Sequence, residues 1–477
     1  MAKKLRISAF FMGGLLTSVL FFNCAKIANN GGLNAQGNSE ATQVIPTMIT
    51  ASLIEDLNND GKNDLVISSQ GNNDLAPFIL FNQGNDVFKK DVIALPEQYK
   101  GQNGSAVDIK SGDFNGDGKT DLLLLVVESA GINYYGSAQV QLVLGDGHGL
   151  FRAAPQNISN STWPKTCGIG LFIWPDHIRV ADIDGDSHLD FIVTSPSSCG
   201  GIIFRNDGSG NFAPANISIV DGSNTGSFAS LTWWRSSISG SHDTDARAGD
   251  VIVGDINKDG KPDFFAPTSA THQSNPASIQ NATFINTSTQ GHLSFNVVHS
   301  PTVGALRNGA LLDINLDGNL DFVGSLSISG STASVPIVAL LGDGLGHFTP
   351  SSSVILPSTA DLVHASAFIA ADFNHDTKSD LLIADTGYDN GNFPGRRNWL
   401  FINNGSGVLE DKTATHLDLL PTYTHQGAVG DLNGDGHLDL VLNNAGCNGT
   451  SMVCSNGPLF WRNDGNSAFK SFNPKIQ

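Results

Sequence analysis

The chain has 477 residues, 45 of them acidic and 26 basic, for a formal net charge of −19. That balance argues against a nucleic-acid binder, which requires a basic footprint. Charged residues at only 15%, together with 53 glycines, suit many short strands and turns, and length alone would suggest about three domains.

In chain order, residues 1–23 read as a signal peptide. Lys3, Lys4 and Arg6 form a positive n-region, and Ile7 to Phe22 is a mostly apolar stretch of 16 residues, short of the ~20 that span a bilayer. The stretch ends at Asn23-Cys24-Ala25, which resembles a bacterial lipoprotein cleavage site with Cys24 as the lipidated residue; ordinary secretion is the alternative. Residues 24–46 follow as a flexible tether, rich in Asn, Gly, Ala and Gln from Asn29 to Thr42. The expected location is the cell envelope or cell surface, or else the medium, with membrane contact only through the lipid anchor.

From residue 47 to 473 one motif governs. A nine-residue acidic loop, Asp-x-Asx-x-Asp-x-x-x-Asp, returns seven times at intervals of 57 to 73 residues. A repeat of this kind sets the architecture before any single residue sets chemistry. The first three loops carry Asp56, Asn58, Asp60 and Asp64; Asp113, Asn115, Asp117 and Asp121; and Asp182, Asp184, Asp186 and Asp190. The next two carry Asp255, Asn257, Asp259 and Asp263, then Asp313, Asn315, Asp317 and Asp321. The last two carry Asp372, Asn374, Asp376 and Asp380, then Asp431, Asn433, Asp435 and Asp439.

Oxygen donors at positions 1, 3, 5 and 9, with a turn at position 6, wrap a hard cation. Ca²⁺ takes ~6–8 oxygens, and a backbone carbonyl at position 7 plus water completes the shell. No Cys or His recurs at a ligand position, so softer metals are disfavoured, and up to seven Ca²⁺ are expected. Twenty-two of the 45 carboxylates sit in these loops, so most of the acidity is ligand. Position 6 is Ser187 in the third loop and Thr377 in the sixth, where glycine would turn more easily; those sites are expected to bind more weakly. Apolar residues at position 2 (Leu57, Phe114, Ile183, Ile256, Ile314, Phe373, Leu432) and position 10 (Leu65, Leu122, Phe191, Phe264, Phe322, Leu381, Leu440) should anchor each loop to the core.

Short β-branched runs flank each loop, and further along each repeat comes an apolar strand, a tight polar turn and usually a Phe. Leu80-Phe-Asn-Gln-Gly before Phe88 and Phe460-Trp-Arg-Asn-Asp-Gly before Phe469 are examples. Each repeat is therefore strand A, acidic loop, strand B, longer connection, strand C, tight turn, strand D. Seven such units predict an all-β, seven-bladed β-propeller of four-stranded blades, with the acidic loop between strands A and B.

These repeats resemble the FG-GAP (VCBS-type) family, the units of the propeller in integrin α-subunits and in many bacterial surface proteins. The resemblance implies calcium in the A–B loops on one face and a scaffold for binding, without naming a ligand. Frame counting leaves residues 474–477 as a C-terminal tail. It also places both chain ends in separate blades, so closure is expected to rest on face-to-face packing of blades 1 and 7.

Besides Cys24 there are four cysteines. Cys167 and Cys199 fall in connections of blade 3 on the face opposite the calcium loops, and Cys447 and Cys454 share one connection of blade 7. An exported protein keeps such pairs as disulfides; free buried thiols are the alternative. The long connections on that same face are the expected ligand surface. The longest is read as a loop from Asp221 to Gly249, and Trp163, Trp174, Trp233, Trp234, Arg235 and His242 cluster in it or in the preceding D–A connection. Exposed aromatics beside polar groups suit a protein or glycan partner; packing of the loops onto the rim is the bland alternative. No nucleophile elbow, zinc-protease motif, P-loop or dinucleotide fingerprint occurs. The expected function is therefore a monomeric, calcium-stabilised binding or adhesion propeller without catalysis. The runner-up is a carbohydrate-active enzyme, a polysaccharide lyase or glycosidase, on the same scaffold.

Overall fold

A computed structural model of the chain describes residues 49–69, 77–93, 104–128, 139–158, 177–195, 200–228, 250–267, 280–301, 303–304, 306–326, 334–358, 362–387, 395–419, 421–444 and 458–477. The signal peptide, the tether, Cys24, Cys167, Cys199, Cys447, Cys454, Trp163, Trp174, Trp233, Trp234, Arg235 and His242 lie outside the described residues.

Seven sheets, each built on an antiparallel four-strand meander, succeed one another along the chain. Blade 1 runs Ile49–Glu55, Asp64–Ser69, Phe78–Gly84 and Val87–Val92, each strand pairing with the next. The same four-strand meander begins again at Gly104, His177, Ile252, Leu306, Ala365 and Thr424. Strands A lie innermost: that of blade 1 touches those of blades 2 and 7, which closes a ring of seven. Among the described residues one short helix, Thr413–His416, comes after the outer strand of blade 6.

The period-2 alternation of a strand explains why blades stack. In strand B of blade 1, Leu65 and Ile67 pack toward blade 7 while Val66 packs toward blade 2. Because both faces are covered, strands B read as continuous apolar runs, and that of blade 1 is buried from end to end. Seven hydrophobic clusters result, one in each seam between neighbouring blades. The Phe after most of the tight turns packs into these seams, where Phe88, Phe295 and Phe348 are at most 1% exposed, and Leu409 takes that place in blade 6.

The outer rim departs from expectation in two places. Lys475–Ile476, read as tail, pairs in parallel with Val87–Phe88 as a fifth strand of blade 1. The Lys475 and Gln477 N–H groups donate to the Asp86 and Phe88 carbonyls at 2.7 and 2.8 Å. One blade thus combines both ends of the repeat region, contrary to the closure expected from the frame. The four strands of blade 1 proper remain contiguous in sequence; the correction concerns the chain beyond strand D of blade 7 (Phe469–Ser471), which crosses to the neighbouring blade. Arg462 of blade 7 also pairs with Asp86 in the turn of blade 1 and lies over the Phe472 ring.

The second departure is the connection read as a loop from Asp221. Ile217–Asp221 and Asn224–Phe228 form a hairpin around Gly222 (φ +58°). It adds to the outer edge of blade 4, with Ile217–Asp221 parallel to Ser294–Pro301. Ile217 and Ile219 are 1% and 0% exposed and join the core between blades 3 and 4. Burial of that alternating pair is what holds the segment as a strand.

Candidate metal centres

The seven acidic loops are superposable in their hydrogen bonding. The position-1 carboxylate accepts the N–H of position 6 through Oδ2 in every copy, at 2.7–3.0 Å. The position-5 carboxylate accepts the N–H of position 7 in every copy. The position-3 oxygen accepts from the position-5 N–H in all but the third loop. A carboxylate offers about four lone-pair sites, so these bonds fix the oxygens while leaving capacity for a cation.

Such tight winding requires two left-handed residues per loop. Position 6 has φ between +70° and +86° in all seven copies, including Ser187 (+71°) and Thr377 (+70°). Position 4 is left-handed as well, with Asn59, Lys258, Leu316 and His375 sharing the conformation of Gly116, Gly185 and Gly434. The strain expected at position 6 is therefore present, and a second strained position escaped the sequence reading. The sixth loop, with His375 and Thr377, has glycine at neither.

Position 9 serves another purpose. Asp64, Asp121, Asp190, Asp263, Asp321, Asp380 and Asp439 are each 0% exposed at the start of strand B. Their Oδ2 atoms accept the N–H of position 2 at 2.9–3.1 Å. Their Oδ1 atoms accept an N–H from strand C at 2.7–3.0 Å. Burial pushes Asp64 and Asp190 up to about 7 and the other five up to about 6, the N–H donors only partly offsetting it. A buried carboxylate in that state gains from a nearby cation. The position-2 and position-10 side chains expected to anchor the loops are all buried, at 2% exposure or less.

The donor set fits a hard divalent cation. In the third loop, oxygens of Asp182, Asp184 and Asp190 lie within 4.8 Å of one another. Asp184 Oδ1 and Asp313 Oδ1 are buried with no hydrogen-bond partner, as expected of atoms placed for an ion rather than for the protein. The extra carboxylate of the third loop is partly neutralised: Arg205 Nε lies 2.6 Å from Asp184 Oδ2, an ion pair whose direction is poor for a hydrogen bond. Lys62, Lys119 and Lys378 pair with the position-5 carboxylates of their loops at 2.5–3.5 Å, solvent-screened contacts worth little.

Sequence reasoning also missed the residue that donates to position 9 from strand C. It is Asn82, Asn206, Asn286, Asn403 or Asn463 in five blades, and Gly145 or Gly342 in blades 2 and 5. The asparagine recurs in the turn motifs, but a turn reading gave it no inward role.

At the far end of the inner strands, charges gather around the ring axis. Asp108 of blade 2 accepts the Ile178 N–H at 2.8 Å and Lys110 at 2.5 Å. Arg179 of blade 3 reaches Asp250 at 2.5 Å. His177 lies 3.9 Å from Asp108 and 3.8 Å from Asp250, and Gln426 of blade 7 donates to its Nδ1 at 3.0 Å. Burial lowers His177 against the opposing pull of Asp250 and Asp108; burial would raise Asp108, but Lys110, His177 and Arg179 hold it below the usual carboxylate range. Arg397 stacks over the buried Trp399 ring, 4.1 Å from its centroid.

FG-GAP-like repeats match residues 56–124, 113–193, 313–383 and 372–442, together more than half of the chain. Integrin alpha-PS3 of Drosophila melanogaster is 28% identical over 162 residues, 32% of this chain and 14% of that protein. Phosphatidylinositol-glycan-specific phospholipase D of Mus musculus is 31% identical over 160 residues, 31% of this chain and 18% of that protein. The matches thus span less than a fifth of these relatives' lengths. Among solved structures, BBS1N in complex with ARL6DN aligns over 88% of this chain and 92% of that one, at 12% identity and a TM-score of 0.43. With seven four-stranded blades, an acidic loop in each and the repeat matched over more than half its length, the chain belongs to the FG-GAP-like repeat family.

Proposed function

We propose that the chain is a calcium-stabilised, exported binding or adhesion propeller. Its ligand, a protein or glycan, meets the face opposite the acidic loops, and the molecule acts as a monomer tethered through Cys24 or secreted. The observation that carries the calcium reading is the pair of buried, partnerless oxygens of Asp184 and Asp313 within loops whose donors are all oxygen. Ca²⁺ bound there would be held by positions 1, 3, 5 and 9 and would neutralise carboxylates that otherwise repel.

Binding rather than catalysis is favoured by the axial cluster. Asp108 and Asp250 are each held by a cation, at 2.5 Å in both cases, which commits both carboxylates to ion pairs within the fold. The integrin and phospholipase relatives each match about a third of this chain, so neither name decides between adhesion and catalysis.

Melting in a calcium chelator tests the first half: a large fall, reversed by Ca²⁺ far better than by Mg²⁺, is expected. An unchanged melting curve would remove the calcium reading. For the second half, glycan arrays and a pull-down with the calcium-loaded protein should give a saturable partner lost on substitution of the opposite face. Turnover of a polysaccharide by the purified chain would replace binding with catalysis.

A further inference from the structure

The strand-C asparagines do more than brace their own blades. The Asn206 N–H donates to Asp190 of loop three at 2.8 Å, and its Nδ2 donates to the Leu189 carbonyl at 3.1 Å and to the Phe114 carbonyl of loop two at 2.8 Å. The Phe114 N–H in turn donates to Asp121, the position-9 carboxylate of loop two, at 3.1 Å. A continuous polar path, Asp121–Phe114–Asn206–Asp190, therefore joins the buried carboxylates of two neighbouring loops across a seam.

The same path recurs at four other seams. Between blades 3 and 4 it runs through Ile183 and Asn286, and between blades 6 and 7 through Phe373 and Asn463. At the closing seam, 7 to 1, it runs through Leu432 and Asn82. Between blades 5 and 6, Asn403 takes the Asp313 carbonyl, which shares a peptide unit with the Ile314 N–H bound to Asp321.

Two seams lack it. In blades 2 and 5 the donor is Gly145 or Gly342, and a Cβ there would lie 2.1 Å from the Thr120 or Leu320 carbonyl oxygen, so no asparagine fits. The 1/2 and 4/5 seams have other bonds, Asn59 to the Gly147 carbonyl at 3.0 Å and Thr283 to the Gly346 carbonyl at 2.7 Å. Neither of these touches a position-9 carboxylate.

We propose that cation binding is coupled from loop to loop through these asparagines, and that the ring is thereby divided into two arcs. Loops 2, 3 and 4 form one arc and loops 5, 6, 7 and 1 the other, with no coupling across the 1/2 and 4/5 seams. An ion that pins position 9 against position 2 fixes the carbonyl on which the next blade's asparagine rests, and that asparagine holds the next loop's position 9. The coupling is reciprocal, as any linkage between sites must be. It rests on the calcium reading above.

The experiment is hydrogen exchange on the full chain at limiting buffered calcium, read loop by loop. Asp113→Ala empties loop 2, which has an unstapled neighbour on one side and a stapled one on the other. Protection of residues 183–190 in loop 3 should fall about fivefold, the scale of one hydrogen bond, while residues 57–64 in loop 1 stay unchanged. Asp313→Ala should likewise loosen residues 373–380 but leave 256–263 unchanged. Adding Asn206→Ala should abolish the effect of Asp113→Ala on loop 3. Equal losses on both sides of the emptied loop, or none on either, overturn the coupling while leaving calcium binding intact. If no loop of the unsubstituted protein gains protection with calcium, the calcium reading falls and the coupling falls with it.

Discussion

Replacing Thr377 with glycine isolates the cost of winding the sixth loop. Its φ of +70° is a conformation that a β-branched residue rarely adopts, and the side chain is exposed. At the equivalent Gly61, Gly118, Gly260 and Gly436, an added Cβ meets nothing within 4 Å. The substitution therefore removes strain and almost no packing. The Thr377 N–H bond to Asp372 at 2.8 Å is retained. Left-handed backbone costs an L-residue about 1–2 kcal/mol, and the extra freedom of glycine in the unfolded chain returns about 0.5–1 kcal/mol of that. Thr377→Gly should stabilise the loop by about 1 kcal/mol, roughly fivefold in its opening equilibrium, and Gly118→Thr should destabilise the second loop by a similar amount. Hydrogen exchange of residues 373–380 and 114–121, measured in chelator and in calcium, reads both. Opposite shifts of similar size are expected in both conditions. A Thr377→Gly variant that opens faster than the parent, with Gly118→Thr neutral, would refute backbone strain as the difference between the loops.

Position 9 separates folding from metal binding. Asp121→Ala strands the buried Phe114 and Gly145 N–H groups, at about 1–3 kcal/mol each. It should lower the melting temperature even in chelator, whereas Asp117→Ala, at an exposed position, should act only when calcium is present. Acidity should work in opposite directions with and without metal. The position-9 groups have folded pKa values of about 6 to 7 against 3.8 in the unfolded chain, so the metal-free fold binds extra protons in that window and loses stability as pH rises through it. Differential scanning fluorimetry in chelator should show the melting temperature rising from about pH 7.5 to about pH 5.5, and in calcium falling as protons displace the ion. Deleting residues 474–477 removes the parallel strand from blade 1, a loss of about 2–3 kcal/mol from its backbone bonds; exchange of residues 87–92 should accelerate while residues 348–350 stay as before.

The repeat made the fold legible because each loop announces where strand A stops and strand B starts, and the buried runs beside it have no other register available. The seven acidic loops were legible for the same reason. The hidden features depend on meeting across a seam. Asn206 looks like an ordinary turn residue until the Phe114 carbonyl of another blade is placed beside it. Left-handed Leu316 and His375 carry no glycine to signal their conformation. Lys475–Ile476 is too short to read as a strand and becomes one only because Val87 and Phe88 offer an open edge. Asp108, His177 and Asp250 sit far apart in sequence and meet only because the inner strands converge on one axis.

The strand contributed by residues 475–476 also changes what counts as the beginning of this molecule. Ile49 opens the innermost strand of blade 1 and Ile476 lies in its outermost, so both lie in one sheet, about four strand spacings of ~4.8 Å apart across it and offset along the strands, Ile49 facing Ser69 toward one end and Ile476 facing Phe88 toward the other. A linker of about ten residues, at ~3.3 Å each, bridges that gap, and the covalent break is then free to move elsewhere. The seam between blades 4 and 5, with its small core and no asparagine staple, is the natural place to reopen the chain: a circular permutant beginning near Leu306 keeps every other seam whole.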